Sequence, residues 1–207
     1  KGGTNAENHN HNDVGSYAVA LGSETMVGDQ GGPNSYPGDY FNGDAPQKYK
    51  IKGSFGHPVP VVDGRTQSSG GKAKGVVLQK EFTNEKDVFS IDYTSAYSTP
   101  NLDKLIRTFV YDRQGEGNFT VGDEFTAKTP IRFETAITTR ADWKVLDDTH
   151  LLLATDSEQM IVAIDASGKV AFTSETIEVN SPAYTRIGIA LKNQSKEGYI
   201  RLKMYTK

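Results

Sequence analysis

The sequence predicts an all-β chain: one large antiparallel β-sandwich of two multi-stranded sheets, spanning residues 1–207 as a single domain. Three observations carry this. Apolar residues almost never recur with the 3.6-residue period of a helix. Eleven short runs alternate apolar and polar side chains from residue 75 onward, the period of a half-buried strand. The 21 glycines and 10 tyrosines supply turns and flat cross-strand partners. Short strands at this spacing pack as two facing sheets, and a chain of this length buries roughly 70% of its unfolded surface, enough for a core without staples.

In chain order, Tyr17-Ala18-Val19-Ala20-Leu21 alternates large and small side chains, Gly22-Ser23 makes a two-residue turn, and Glu24 to Asp29 returns. With Leu21 opposite Glu24, Asp29 falls opposite Ser16 and is carried back towards the histidines that precede the hairpin. Residues 30–48 hold much of the Pro and Gly and form a long loop, which Tyr36, Tyr40 and Phe41 anchor as an ordered one. Val59 to Asp63 reads as a short strand and Ser68 to Gly71 as a flexible turn. The eleven runs are 75–82, 88–93, 105–111, 119–125, 131–138, 143–146, 151–155, 160–164, 170–174, 185–191 and 198–205, with one short helical turn expected within 98–104. Trp143, Tyr93 and Tyr97 lie on alternating strands, where aromatic side chains serve as core or cross-strand pairs, and His150 reads as a turn residue.

Composition excludes several functions. A net charge of -3 with scattered Lys and Arg leaves no electrostatic footprint for nucleic acid. No apolar run approaches the roughly 20 residues of a membrane helix, so no membrane insertion is expected. There are no cysteines, hence no disulfides and no thiolate metal site.

Three of the four histidines fall in the first sixty residues: His9 and His11 in a His-x-His pair, and His57 before Pro58. Asp29 stands eighteen residues after His11. Imidazoles and a carboxylate on three segments suit Zn²⁺ with a water in the fourth position. The spacing alone fits solvated or hydrogen-bonded histidines in a polar loop better than a metal site.

The longer pattern carries a resemblance. Lys1-Gly2-Gly3-Thr4-Asn5-Ala6-Glu7-Asn8-His9-Asn10-His11-Asn12-Asp13-Val14-Gly15-Ser16, then Val27-Gly28-Asp29-Gln30-Gly31, then Gly56-His57-Pro58-Val59-Pro60-Val61-Val62-Asp63-Gly64 resemble the opening of the β-sandwich domain of the heparinase II/III-like polysaccharide lyases, a group that includes oligoalginate lyases. The resemblance is specific over residues 1–65 and diffuse beyond, in segments 105–110 and 119–123. It implies a structural zinc ion held by His11, Asp29 and His57. Many relatives carry Asn where this chain has Pro58, which removes a side-chain hydrogen bond and leaves the imidazole available. It also implies that His9 lines an active site and that a loop tyrosine reaches the substrate, Tyr40 fitting best by spacing and Tyr36 second.

The implied reaction is β-elimination on an acidic, uronic-acid-containing polysaccharide or oligosaccharide of glycosaminoglycan or alginate type. The remaining machinery, a tyrosine and an Asn or His that neutralises the carboxylate, belongs in that family to a preceding α/α toroid domain. This sequence has no such helical region, so it is expected to be the C-terminal part of a larger lyase, inactive in isolation and periplasmic or secreted in a bacterium. The competing expectation is a non-catalytic carbohydrate-binding or structural β-sandwich module whose histidines are incidental.

Overall fold

A computed structural model describes residues 1–7, 9–29, 31–179 and 181–207. Asn8 and Gln30, which belong to the histidine segment and the long loop of the sequence reading, lie outside them. The N-terminal third is loop-rich: β1 (Thr4–Asn5), the hairpin β2 (Val19–Leu21) and β3 (Glu24–Val27), a single helical turn α1 (Ala45–Lys48), β4 (Val61–Val62) and β5 (Gly70–Lys74). Eleven strands follow: β6 (Val76–Phe82), β7 (Lys86–Asp92), β8 (Leu102–Asp112), β9 (Asn118–Ile131), β10 (Phe133–Thr139), β11 (Asp142–Asp147), β12 (His150–Ala154), β13 (Gln159–Ala166), β14 (Val170–Val179), β15 (Ser181–Leu191) and β16 (Ser195–Thr206).

The chain is an all-β sandwich. Eight strands form one antiparallel sheet in the order β11-β12-β13-β16-β9-β8-β7-β6, and a four-stranded sheet, β14-β15-β10-β4, packs on it. The core between them comes from the inward alternate positions of both sheets, with Val121, Phe125, Ile200 and Leu202 meeting Phe133, Ile137, Ile187 and Ile189, all buried. Phe125 and Phe133 stack with centroids 4.6 Å apart. Burying each such side chain stabilises the fold by about 1.5–3 kcal/mol. Tyr93 and Tyr97 are core residues and Trp143 packs against the core, the role expected of them, although Tyr93 and Tyr97 flank a short turn and do not sit in a strand.

Leu21 pairs with Glu24 as the turn required, and a bulge between Val19 and Ala20 then moves the register by one residue, so that Val19 faces Val27. Three local expectations are corrected. Residues 98–104 hold no helical turn; a short 3₁₀ turn at Thr94–Ala96 precedes them, because Asp92 accepts the backbone N–H and hydroxyl of Thr94 and sets the turn there. Gly70 and Gly71 open β5 rather than a free turn, since β1 pairs with it. His150 begins β12, with its Nδ1 2.9 Å from Asp147 Oδ1 across the turn.

A second apolar cluster sits under the long loop: Tyr40 and Ile51 pack on Ile177 of β14 and Tyr184 of β15. It pins residues 31–58 to the four-stranded sheet. Among the described residues no helix is long and apolar enough to cross a membrane.

Candidate metal centre and adjoining cleft

Each of the three predicted ligand segments is tied to the sheets. Arg107 on β8 is fully buried and faces its direct cross-strand partner Asp123 on β9. Its Nε and Nη2 donate to Asp123 Oδ1 and Oδ2 at 2.8 and 2.7 Å. Tyr93 and Thr135 hydroxyls donate to the same carboxylate at 2.6 and 2.7 Å. Burial pushes the guanidinium pKa down, but Asp123 more than offsets this and the guanidinium stays charged. The remaining Arg107 nitrogen, Nη1, donates to two backbone carbonyls, Gly15 O at 2.8 Å and Pro58 O at 2.7 Å. One guanidinium thus clamps the chain just after the His-x-His pair and just after His57. Gly15 has φ +89°, a conformation that costs a residue with a Cβ.

Asp29 is placed from the other sheet. Gly28 N donates to Thr138 O at 3.0 Å, and the hydroxyls of Thr138 and Thr139 donate to Gly28 O and Met26 O at 2.6 Å each. Before His57, Gly56 O accepts from the Tyr184 hydroxyl at 2.8 Å. A Cβ on Gly56 would lie 2.3 Å from Lys50 O, so only glycine permits this approach.

His11, Asp29 and His57 each bring one potential ligand atom to within 4.8 Å of the others. His57 is wholly buried. Its Nε2 lies 2.9 Å from Ile51 O, and a carbonyl only accepts, so Nε2 carries a proton. Nδ1 is buried with no hydrogen-bond partner among the described residues, 3.9 Å from Asp29 Oδ1. A buried, unpartnered ring nitrogen facing a carboxylate, with the opposite ring nitrogen fixed by a backbone oxygen, is the arrangement of a metal-ligating histidine. Burial, and then His57 beside it, push the His11 pKa down to about 4, so its imidazole is neutral at neutral pH. The donor set therefore fits a divalent ion with nitrogen and oxygen ligands.

The sequence reading missed a second carboxylate. Asp13 Oδ2 comes 4.0 Å from His57 Nδ1; it is buried and accepts from the Ser16 hydroxyl at 2.8 Å. Burial pushes its carboxyl up, but His57 and Lys1 outweigh that and hold it below the usual range. Its place two residues after His11 was the available signal.

Tyr40 is buried, its hydroxyl 3.4 Å from His11 Nε2. Burial, then Tyr36 and Asp29, push its phenol up to about 12, which keeps it protonated. Tyr36 is 56% exposed, and its ring contacts Tyr40 and Phe41 at 5.1 Å each. His9 lies on the surface with φ 60°, a left-handed conformation uncommon outside Gly, Asn, Asp and His. Its ring rests 4.5 Å from Phe41. His9, Phe41, Glu7, Lys52 and the amides of Asn5, Asn10, Asn12 and Asn42 line an open cleft of about 250 Å³. Two larger grooves, about 370 Å³ beside Asp148 and Lys192 and about 390 Å³ beside Tyr49 and Glu175, have no histidine on their walls among the described residues; His9 lies at the smaller cleft.

No family model matches the sequence, and no curated protein matches it. Solved structures do. A heparinase III matches with a TM-score of 0.74 over 96% of this chain at 18% identity. The chain has the fold of a segment of heparinase III. A heparan sulfate lyase of Pedobacter heparinus matches at 0.74 over 96% with 13% identity, and another heparinase III, with methylated lysines, at 0.75 over 100% with 13% identity. The chain spans about a third of their length, 30–32% of each. At these identities the likeness establishes the heparinase III sandwich fold, and the site rests on the residues above.

Proposed function

We propose that the chain is the β-sandwich part of a polysaccharide lyase that cleaves an acidic, uronic-acid-containing polysaccharide or oligosaccharide by β-elimination, acting with a helical domain of the same protein outside the cell or in the periplasm. The observation that carries this reading is the metal-competent trio of His11, Asp29 and His57 behind a cleft lined by His9, in a fold shared with heparinase III.

Zn²⁺ held by His11, Asp29 and His57 suits the donor set, with Asp13 within reach. Its contribution is charge that fixes the loop segments in place. The chain's own residues do the rest. β-Elimination removes the proton on the carbon next to the uronate carboxylate while an acid protonates the departing oxygen. Positioned proton-transfer groups each contribute about 10²–10⁴ in rate. His9, at the cleft surface, serves as one of them. Spacing favours Tyr40 as the tyrosine that reaches the substrate, but it is buried and held protonated, so we assign it to anchoring His11 through its hydroxyl and supporting His9 through Phe41. The proton-donor role passes to the exposed second candidate, Tyr36.

The test has two arms. Elemental analysis of the purified chain and of His57→Ala gives about one zinc per wild-type chain, lost in the variant; a folded wild type that never met chelator and carries no metal refutes the zinc site. The complete protein, offered heparan-, chondroitin- and alginate-type polymers, gives ultraviolet-absorbing unsaturated products that His9→Ala abolishes. Cleavage by the isolated chain would refute the division of labour between the two domains.

A further inference from the structure

Lys52 is an ammonium in a place where a cation is costly. The residue is 5% exposed, and an uncompensated buried charge is expensive unless paired. Among the described residues no carboxylate lies within 4.0 Å of its Nζ. Its one hydrogen bond goes to Tyr40 O at 2.6 Å, which leaves two of its three donors unspent. The rings of Tyr40 and Phe41 lie 5.0 and 5.1 Å from Nζ, offering only their faces. Burial alone pushes the ammonium pKa down, with no neighbouring charge restoring it. Stability does not account for such a group.

What surrounds it does. Lys52 shares the walls of the cleft with His9, Phe41 and four asparagines, and among the described residues Glu7 is the only carboxylate there. One of those asparagines, Asn5, is buried and its side-chain carbonyl has no partner among the described residues. Amides and an aromatic face suit sugar hydroxyls and the flat faces of a sugar ring, and an unspent ammonium suits an anion. We infer that Lys52 is the residue through which the cleft recognises an acidic group, carboxylate or sulfate, of the bound saccharide, while Phe41 and the asparagine amides hold the sugar that carries it. This rests on the saccharide reading of the cleft and adds the residue that makes it select acidic over neutral sugars.

The experiment is a ¹H–¹⁵N NMR titration of the full 207-residue chain with three size-defined hexasaccharides: an unsulfated oligouronate, a sulfated one, and the unsulfated one after reduction of its carboxyls to alcohols. Lys52→Met and Lys52→Arg are titrated in parallel, with thermal melts as the check on folding. Loss of one charge-assisted contact predicts about 10- to 100-fold weaker binding of an acidic oligosaccharide by Lys52→Met, affinity within a few-fold of wild type for Lys52→Arg, and no change for the reduced sugar. An effect on the unsulfated oligouronate assigns the carboxylate; one confined to the sulfated sugar assigns the sulfate. If wild type binds acidic sugars and a folded Lys52→Met binds them equally, or loses the reduced sugar just as much, the assignment to Lys52 is overturned while the saccharide cleft stands. If Lys52→Met does not fold, Lys52→Gln takes its place with the same criteria. No binding of any acidic sugar to wild type at millimolar concentration overturns the saccharide reading and this inference together.

Discussion

Replacing Arg107 by Met removes the side chain that hydrogen-bonds both histidine segments to the eight-stranded sheet, and its effects separate into two parts. The first is stability. Asp123 is left charged at 1% exposure, supported only by the Tyr93 and Thr135 hydroxyls, while the carbonyls of Gly15 and Pro58 lose their donor. Breaking a buried pair by removing one partner costs about 3–5 kcal/mol. At about 2–4 °C per kcal/mol for a domain of this size, the melting temperature should fall by about 6–20 °C. The second part is position. In the double variant Arg107→Met, Asp123→Leu no buried charge remains, and most of the lost stability should return, because apolar replacement of both partners of a buried pair is near neutral. The two carbonyls stay unclamped, so zinc affinity, measured by chelator competition, should remain about tenfold below wild type in the double variant. A single variant that melts within 2 °C of wild type, or a double variant that recovers full zinc affinity, would refute the reasoning.

Removing the metal should lower the melting temperature of the loaded chain: at a free zinc concentration 100 times the dissociation constant, binding contributes about 2.7 kcal/mol, hence about 5–11 °C, and a melt unchanged by chelator and by zinc argues against the site. In the metal-free chain, the His11 pKa pushed down to about 4 means that the unfolded state, near 6.5, takes up a proton that the folded state refuses. Its stability should be constant above about pH 6.5 and decline as pH falls towards 4, and His11→Gln should flatten that decline in denaturant titrations at pH 7.5 and 5. In the complete lyase, Tyr36→Phe should lower kcat without weakening zinc, whereas Tyr40→Phe, whose hydroxyl sits 3.4 Å from His11 Nε2, should weaken zinc as well; equal zinc affinities in the two variants would contradict the placement of Tyr40 behind the metal. Asp13→Asn keeps the contact with Ser16 and removes a charge 4.0 Å from His57 Nδ1, so zinc affinity should drop, by about tenfold on the scale of other residues that support a metal ligand.

The strands from residue 75 onward were legible because each buries one face and alternates accordingly; all eleven runs appear as β6 to β16. Their ends were less so. The run at 119–125 continues to Ile131 because β8 and β16 both pair with the extra residues, a support no local pattern records. β5 escaped notice for the converse reason: Gly70-Gly71-Lys72-Ala73-Lys74 has no apolar rhythm, and only its pairing with β1 makes it a strand. The hairpin at 17–29 was read correctly at its turn and one residue out at its base, where the bulge between Val19 and Ala20 intervenes.

The site divides along the same line. His11 and His57 were nameable because the chain has only four histidines, Asp29 was picked out of 26 acidic residues by the family resemblance, and the fold brings the three together. The clamp that holds them was also written in the sequence. Leu105, Arg107 and Phe109 share one face of β8, and Val121, Asp123 and Phe125 share one face of β9. A charge at the centre of each apolar triplet can be buried only if the two meet, and they are direct cross-strand partners. Lys52 left no such trace. It sits in a loop with no period to violate, and its burial without a counter-charge among the described residues is a property of how Tyr40 and Phe41 fold over it. An ion pair announces itself in sequence because both halves must be encoded in the chain; a charge kept for a ligand has its other half outside the protein.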